Sequence, residues 1–150
     1  MNLSEHCKHI VLVEDDHSQS EDFQTELQNT LGPVRIDVIS CEAEFLDAYS
    51  GCPEEIPDLF VIDLMLEWNQ LSARSTRAQP KPAPNQDEAG LRCLAAVRNY
   101  APNAPVIIWT VTNMKIPSAI IDGVRTWSLI KDEALDGDFG ALAKKVLYGS

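Results

Sequence analysis

Leu59, Phe60, Val61 and Ile62 form an unbroken apolar run that ends on Asp63. Consecutive residues of a strand point to opposite faces, so such a run leaves neither face free to meet water. A strand dry on both sides requires covering layers above and below its sheet. Parallel sheets supply them, because each connection between neighbouring parallel strands crosses over through a covering segment. The tip of the run then poses a chemical problem. A carboxylate buried without a partner is costly, so Asp63 must open into a polar cleft or face a positive group.

The remaining sequence alternates strand and helix signals. Residues 9–16 are a short apolar run ending in acids. Ser18 and Glu21 have capping-box spacing for a first helix, whose Phe23, Leu27 and Leu31 share a face and which Gly32 and Pro33 end. Residues 34–40 alternate as a second strand, and 41–51 read as a helix with Gly51 as its stop. After the third strand, residues 87–100 give a helix with Leu91, Leu94, Ala95 and Val97 as its apolar stripe. Strands follow at 105–110 and 126–131, with a short helix at 116–123 between them. The last helix carries Phe139, Leu142, Ala143, Val146 and Leu147. The predicted fold class is α/β, a doubly wound five-stranded parallel sheet.

Composition narrows the function. A chain of 150 residues reads as one domain, residues 1–150, with no output domain after the last helix. The net charge of -11 argues against a nucleic-acid surface. No apolar run reaches membrane-spanning length, and the first ten residues lack a signal-peptide core. Cys7, Cys41, Cys52 and Cys93 show no C-x-x-C spacing, as expected of reduced thiols in a cytoplasmic protein. His6, Cys7 and His9 lack a fourth ligand, so they are not assigned a metal.

In open parallel sheets, ligands sit beyond the carboxyl ends of the strands. Here the first strand ends in Glu14, Asp15 and Asp16, the third in Asp63, the fourth in Thr110 and the fifth in Lys131. Several carboxylates at one such site repel one another unless a cation joins them, and oxygen-only ligands suit Mg²⁺. A lysine and a hydroxyl beside them balance and hold the oxygens of a phosphoryl group, with Asp63 as its acceptor.

These residues carry a resemblance. From residues 10–16 through 57–66 and 105–110 to 128–132, the sequence resembles a response-regulator receiver domain, the phosphoacceptor part of two-component signalling. The resemblance implies the flavodoxin-like receiver topology. It implies Mg²⁺ on Glu14, Asp15, Asp63 and the backbone carbonyl of Met65, with Asp16 just outside. It further implies phosphorylation of Asp63, with Thr110 as the switch hydroxyl and Lys131 as the partner of the phosphoryl group. The expected partners are a histidine kinase or phosphotransfer protein and an unidentified downstream protein, with no nucleic acid and no membrane. Such a chain is not a turnover enzyme; at most it dephosphorylates itself slowly.

The sequence departs from the receiver pattern in several places. Asp132 follows Lys131 where receivers usually have proline. Ser128 stands where an aromatic switch residue is usual; Trp127 beside it can substitute only through a bulge or register shift. Val111 is larger than the residue favoured after Thr110. A long insertion, about residues 67–87, separates the third strand from the third helix; it holds Pro80, Pro82, Pro84, Arg74, Arg77 and Lys81. It reads as a partner-docking element, a lid beside Asp63, or a passive disordered insertion. Two other functions fit the same residues: an adaptor that never takes phosphate, and a Mg²⁺-dependent phosphohydrolase. The second lacks the acid usual two residues after an aspartate nucleophile, where this chain has Met65.

Overall fold

The computed structural model describes residues 7–49, 51, 55–68, 78–82, 85, 88–110, 125–130 and 137–149. They form, in chain order, β1 (Lys8–Val13), α1 (His17–Leu31), β2 (Val34–Ile39), α2 (Glu42–Ala48), β3 (Leu59–Asp63), α3 (Ala89–Tyr100), β4 (Val106–Thr110), β5 (Thr126–Ile130) and α4 (Asp138–Tyr148). The five strands make one sheet in the order β2-β1-β3-β4-β5. Every neighbouring pair is parallel.

The apolar run of β3 fills both layers. Phe60 and Ile62 join Val11, Val13, Val106 and Ile108 on one face, packed against Phe45 of α2 and Cys93, Leu94 and Val97 of α3. Leu59 and Val61 join Ile10, Leu12, Ile107 and Trp109 on the other, against Phe23 and Leu27 of α1 and Phe139, Ala143 and Val146 of α4. Each such side chain taken fully from water contributes about 1.5–3 kcal/mol, which is why β1, β3 and β4 lie inside the sheet. β2, whose residues are mostly half-buried or exposed, takes an edge.

Local signals differ from the sequence expectation at three points. α1 is capped by Asp16, whose carboxylate accepts the Gln19 amide at 3.0 Å, and Ser18 lies inside the helix. An ionised carboxylate is the stronger acceptor for that amide. α2 ends at Ala48 with Tyr49 as its cap, short of Gly51, because the Tyr49 ring joins Phe45, Phe60 and Tyr100 at 5.1–5.2 Å between centroids. In α3 the buried stripe runs through Ala89, Gly90, Cys93, Leu94, Val97 and Tyr100, and Ala95 faces solvent. Gly32 ends α1 as expected, at φ 76°.

β4 and β5 pair without a bulge, Ile107 beside Trp127 and Ile108 beside Ser128. Trp127 therefore stays on the α1–α4 face, and Ser128 is exposed. The shift that would let Trp127 replace the aromatic switch residue is absent among the described residues. The short helix expected at 116–123 lies outside them, as do Cys52 and most of the insertion.

Candidate functional site at the carboxyl ends of the strands

Three adjacent strands deliver the polar residues to one edge. Val13 pairs with Ile62, and Asp63 pairs with Trp109. Glu14, Asp63 and Thr110 thus leave the sheet within about one residue of the same level. All three are almost dry, at 2%, 7% and 2% exposure. Together with Asp15, Asp16, Gln19 and Met65 they line a cavity of about 150 Å³.

Backbone bonds hold this edge. The Glu14 amide donates to the Ile39 carbonyl at 3.0 Å and the Leu64 amide to the Trp109 carbonyl at 3.0 Å. The Met65 amide donates to Asp63 Oδ1 at 3.1 Å, which orients the carboxylate and fixes Met65 beside it. Asp16 lines the cavity but caps α1, so its carboxylate is already engaged.

Glu14, Asp15 and Asp63 each offer a carboxylate oxygen, and these oxygens lie within 4.8 Å of one another. Two unit charges about 4 Å apart repel by about 4 kcal/mol at the effective dielectric of a protein surface. Burial, and then the charge of Asp63, raise the Asp15 carboxyl above its ordinary value. A hard, oxygen-seeking cation relieves both costs. Two of the three acids are buried, so the donor set fits Mg²⁺ better than a solvated acidic patch would. Thr110 adds a hydroxyl on the same wall. Lys131, Val111, Thr112 and Asp132 lie outside the described residues.

A larger cavity, about 460 Å³, opens at the opposite end of the sheet between Lys8, Asp58 and Arg125. Among the described residues its one carboxylate, Asp58, accepts the His9 amide at 2.8 Å. The described residues gather no converging acids there, unlike the smaller site.

Two features of the site have no motif in the sequence. α3 begins against the acceptor strand, where the Gly90 amide donates to the Leu64 carbonyl at 2.8 Å; the signal was a glycine inside a helix, which needs a packing reason. Glu42, 1% exposed, is held by Arg92 through Nε at 2.6 Å and Nη2 at 2.7 Å. The members of that pair are 50 positions apart, and nothing local announces them.

No protein-family model matches the chain. No curated protein matches it either. Solved structures do. The phosphorylated cyanobacterial phytochrome response regulator RcpA is 20% identical, with 96% of each chain covered and a TM-score of 0.64. A signal receiver domain of a two-component histidine kinase from Clostridium thermocellum is 18% identical, covering 94% of this chain and 98% of its own, with a TM-score of 0.67. The response regulator TrrA from Thermotoga maritima, solved in complex with Mg²⁺ and BeF, is 21% identical, covering 93% and 99%, with a TM-score of 0.63. At such identities the likeness speaks for architecture, and it covers nearly the whole chain: this protein has the fold of the response-regulator receiver domains.

Proposed function

We propose that this protein is a response regulator that accepts a phosphoryl group on Asp63 from a histidine kinase or phosphotransfer protein. The observation that carries the reading is the gathering of the Glu14, Asp15 and Asp63 carboxylates, with Thr110, around one small cavity at adjacent strand ends. A carboxylate oxygen of Asp63 forms the bond to phosphorus while the bond from phosphorus to the donor breaks. The Met65 amide holds the other oxygen's side of that carboxylate in place. Thr110 would donate to a phosphoryl oxygen, and Lys131 would pair with another. Glu14, Asp15, Asp63 and the Met65 carbonyl would hold Mg²⁺, which when bound offsets the charge gathered at the site. The fold and the Mg²⁺–BeF complex of the distantly similar TrrA support this reading. No second acid stands at position 65, so continuous hydrolysis is not expected. The phosphorylated form signals by protein contact or by passing the group on.

A second reading rests on β5. With Trp127 on the α1–α4 face and Ser128 exposed, the described residues of β5 place no aromatic side chain at the usual switch position, which favours an adaptor whose contacts do not depend on phosphate. Intact-mass measurement after incubation with acetyl phosphate and Mg²⁺ separates the possibilities. One stable added phosphoryl group, lost in Asp63→Asn, supports the first reading. Labelling that persists in Asp63→Asn sinks the assignment. No addition favours the adaptor, and steady donor consumption a phosphohydrolase.

A further inference from the structure

The first amides of a helix need acceptors from outside it. Cys41, at the cap of α2, makes no side-chain capping bond. The acceptors come instead from a segment beyond β3: Glu42 donates to the Glu67 carbonyl at 2.9 Å and Ala43 to the Trp68 carbonyl at 2.8 Å. The Trp68 side chain is buried against Cys41 and Ala43. Arg92 grips Glu42 from α3, so the turn that receives the strap is itself anchored. The same two-residue strap reaches the acidic site, where the Glu67 amide donates to Asp15 Oδ2 at 3.4 Å.

We propose that Trp68 is a positioning residue for the cation site: seated on α2, it holds the Glu67 amide against Asp15 and so orients that carboxylate toward Glu14 and Asp63. This rests on the reading of those three acids as a Mg²⁺ site. Asp15 is the least buried of the three and is repelled by Asp63. The Glu67 amide is one of the donors that steady its direction. The amide is placed by the strap, and the strap is held by the buried Leu66 and Trp68 side chains and by two backbone bonds to α2. Coupling is reciprocal. Whatever fixes the direction of the Asp15 side chain therefore also bears on the Glu67 amide that donates to it, and through that amide on the strap. Site occupancy is thereby transmitted to the start of α2 and to Glu67 and Trp68.

The test is a Mg²⁺ titration of the full chain followed by amide resonances and amide exchange. In the unaltered protein, Mg²⁺ should shift Asp63 and Met65 and slow exchange at Glu42 and Ala43 severalfold. Trp68→Ala should weaken Mg²⁺ affinity by about tenfold, at the low end for residues that orient metal ligands, and Trp68→Phe should restore most of it. A merely structural Trp68 would lower the melting temperature of Trp68→Ala and leave its Mg²⁺ affinity unchanged, which overturns the proposal. If Trp68→Ala does not fold, the exchange measurement decides: Mg²⁺ that shifts Asp63 but leaves Glu42 and Ala43 exchange unaltered also overturns it. Mg²⁺ that moves none of these resonances removes the cation site, and this inference with it.

Discussion

Gly90 lies against the backbone of Asp63: a Cβ on residue 90 would stand 2.5 Å from the Asp63 carbonyl oxygen and 2.5 Å from Leu64 Cα. Neither atom can yield without moving the acceptor strand or α3. Alanine is the better helix former by about 1 kcal/mol, so propensity alone favours Gly90→Ala. Overpacking against fixed backbone costs about 1–3 kcal/mol and should win. Urea denaturation of Gly90→Ala is expected to show a net loss of stability, and labelling of Asp63 should slow. A variant at least as stable as the parent would show that α3 moves aside freely.

The Glu42–Arg92 pair gives the second prediction. Glu42 is out of water and holds two bonds from the guanidinium, which raise the Arg92 pKa further. Arg92→Met leaves a buried carboxylate without its cation, at a cost of about 3 kcal/mol, while replacing both members removes that penalty. The double variant Glu42→Leu with Arg92→Met should therefore recover most of the stability lost in Arg92→Met. Equal losses in the single and double variants would mean that the pair's packing matters more than its charge.

The parts of this structure that could be read in advance depend on short-range pattern or on topology. The run from Leu59 to Ile62 demanded two covering layers, and the rule that ligands sit at carboxyl ends drew Glu14, Asp63 and Thr110 to one edge. What stayed hidden was settled by partners distant in sequence. Asp16 and Ser18 both offer a cap for α1, and two-residue spacing cannot choose between them. Tyr49 ends α2 because Phe60 and Tyr100 wait for its ring. The Glu67–Trp68 strap caps a helix that precedes it by 25 residues. The side on which Trp127 falls was fixed only by its register with Ile107.

Tyr49 should leave a mark at high pH. Burial, and next the Asp37 carboxylate, push its phenol up to about 12, against about 10 for a tyrosine in an unfolded chain. The folded state thus keeps this proton more tightly than the unfolded state. Its contribution to stability is whole below about pH 10 and is lost as pH rises through about 12. Tyrosinate absorbance of the folded protein should show a late-titrating phenol that is missing in Tyr49→Phe. The fall in stability between these pH values should be shallower in that variant. A slope unchanged by Tyr49→Phe would place its origin elsewhere.

The last prediction concerns how long a phosphoryl group would stay on Asp63. Its loss needs a water in line with the acyl phosphate, oriented by a polar group nearby. In receivers the residue two after the aspartate flanks that approach; here it is Met65, 41% exposed, whose amide donates to Asp63 Oδ1 and which lines the cavity. A thioether there would crowd the water and offer it at most a weak acceptor. Thr112, two residues beyond Thr110 in sequence, offers a hydroxyl but no charge. The phosphorylated protein is therefore expected to persist for many minutes or longer. An amide at position 65 would bind the water and orient it, so Met65→Asn should shorten the lifetime by about three- to tenfold, a modest share of what proximity can supply. Intact mass followed over time after removal of the donor measures both. If the parent loses its phosphate within seconds, or Met65→Asn decays no faster than the parent, the side chain at this position does not govern the lifetime.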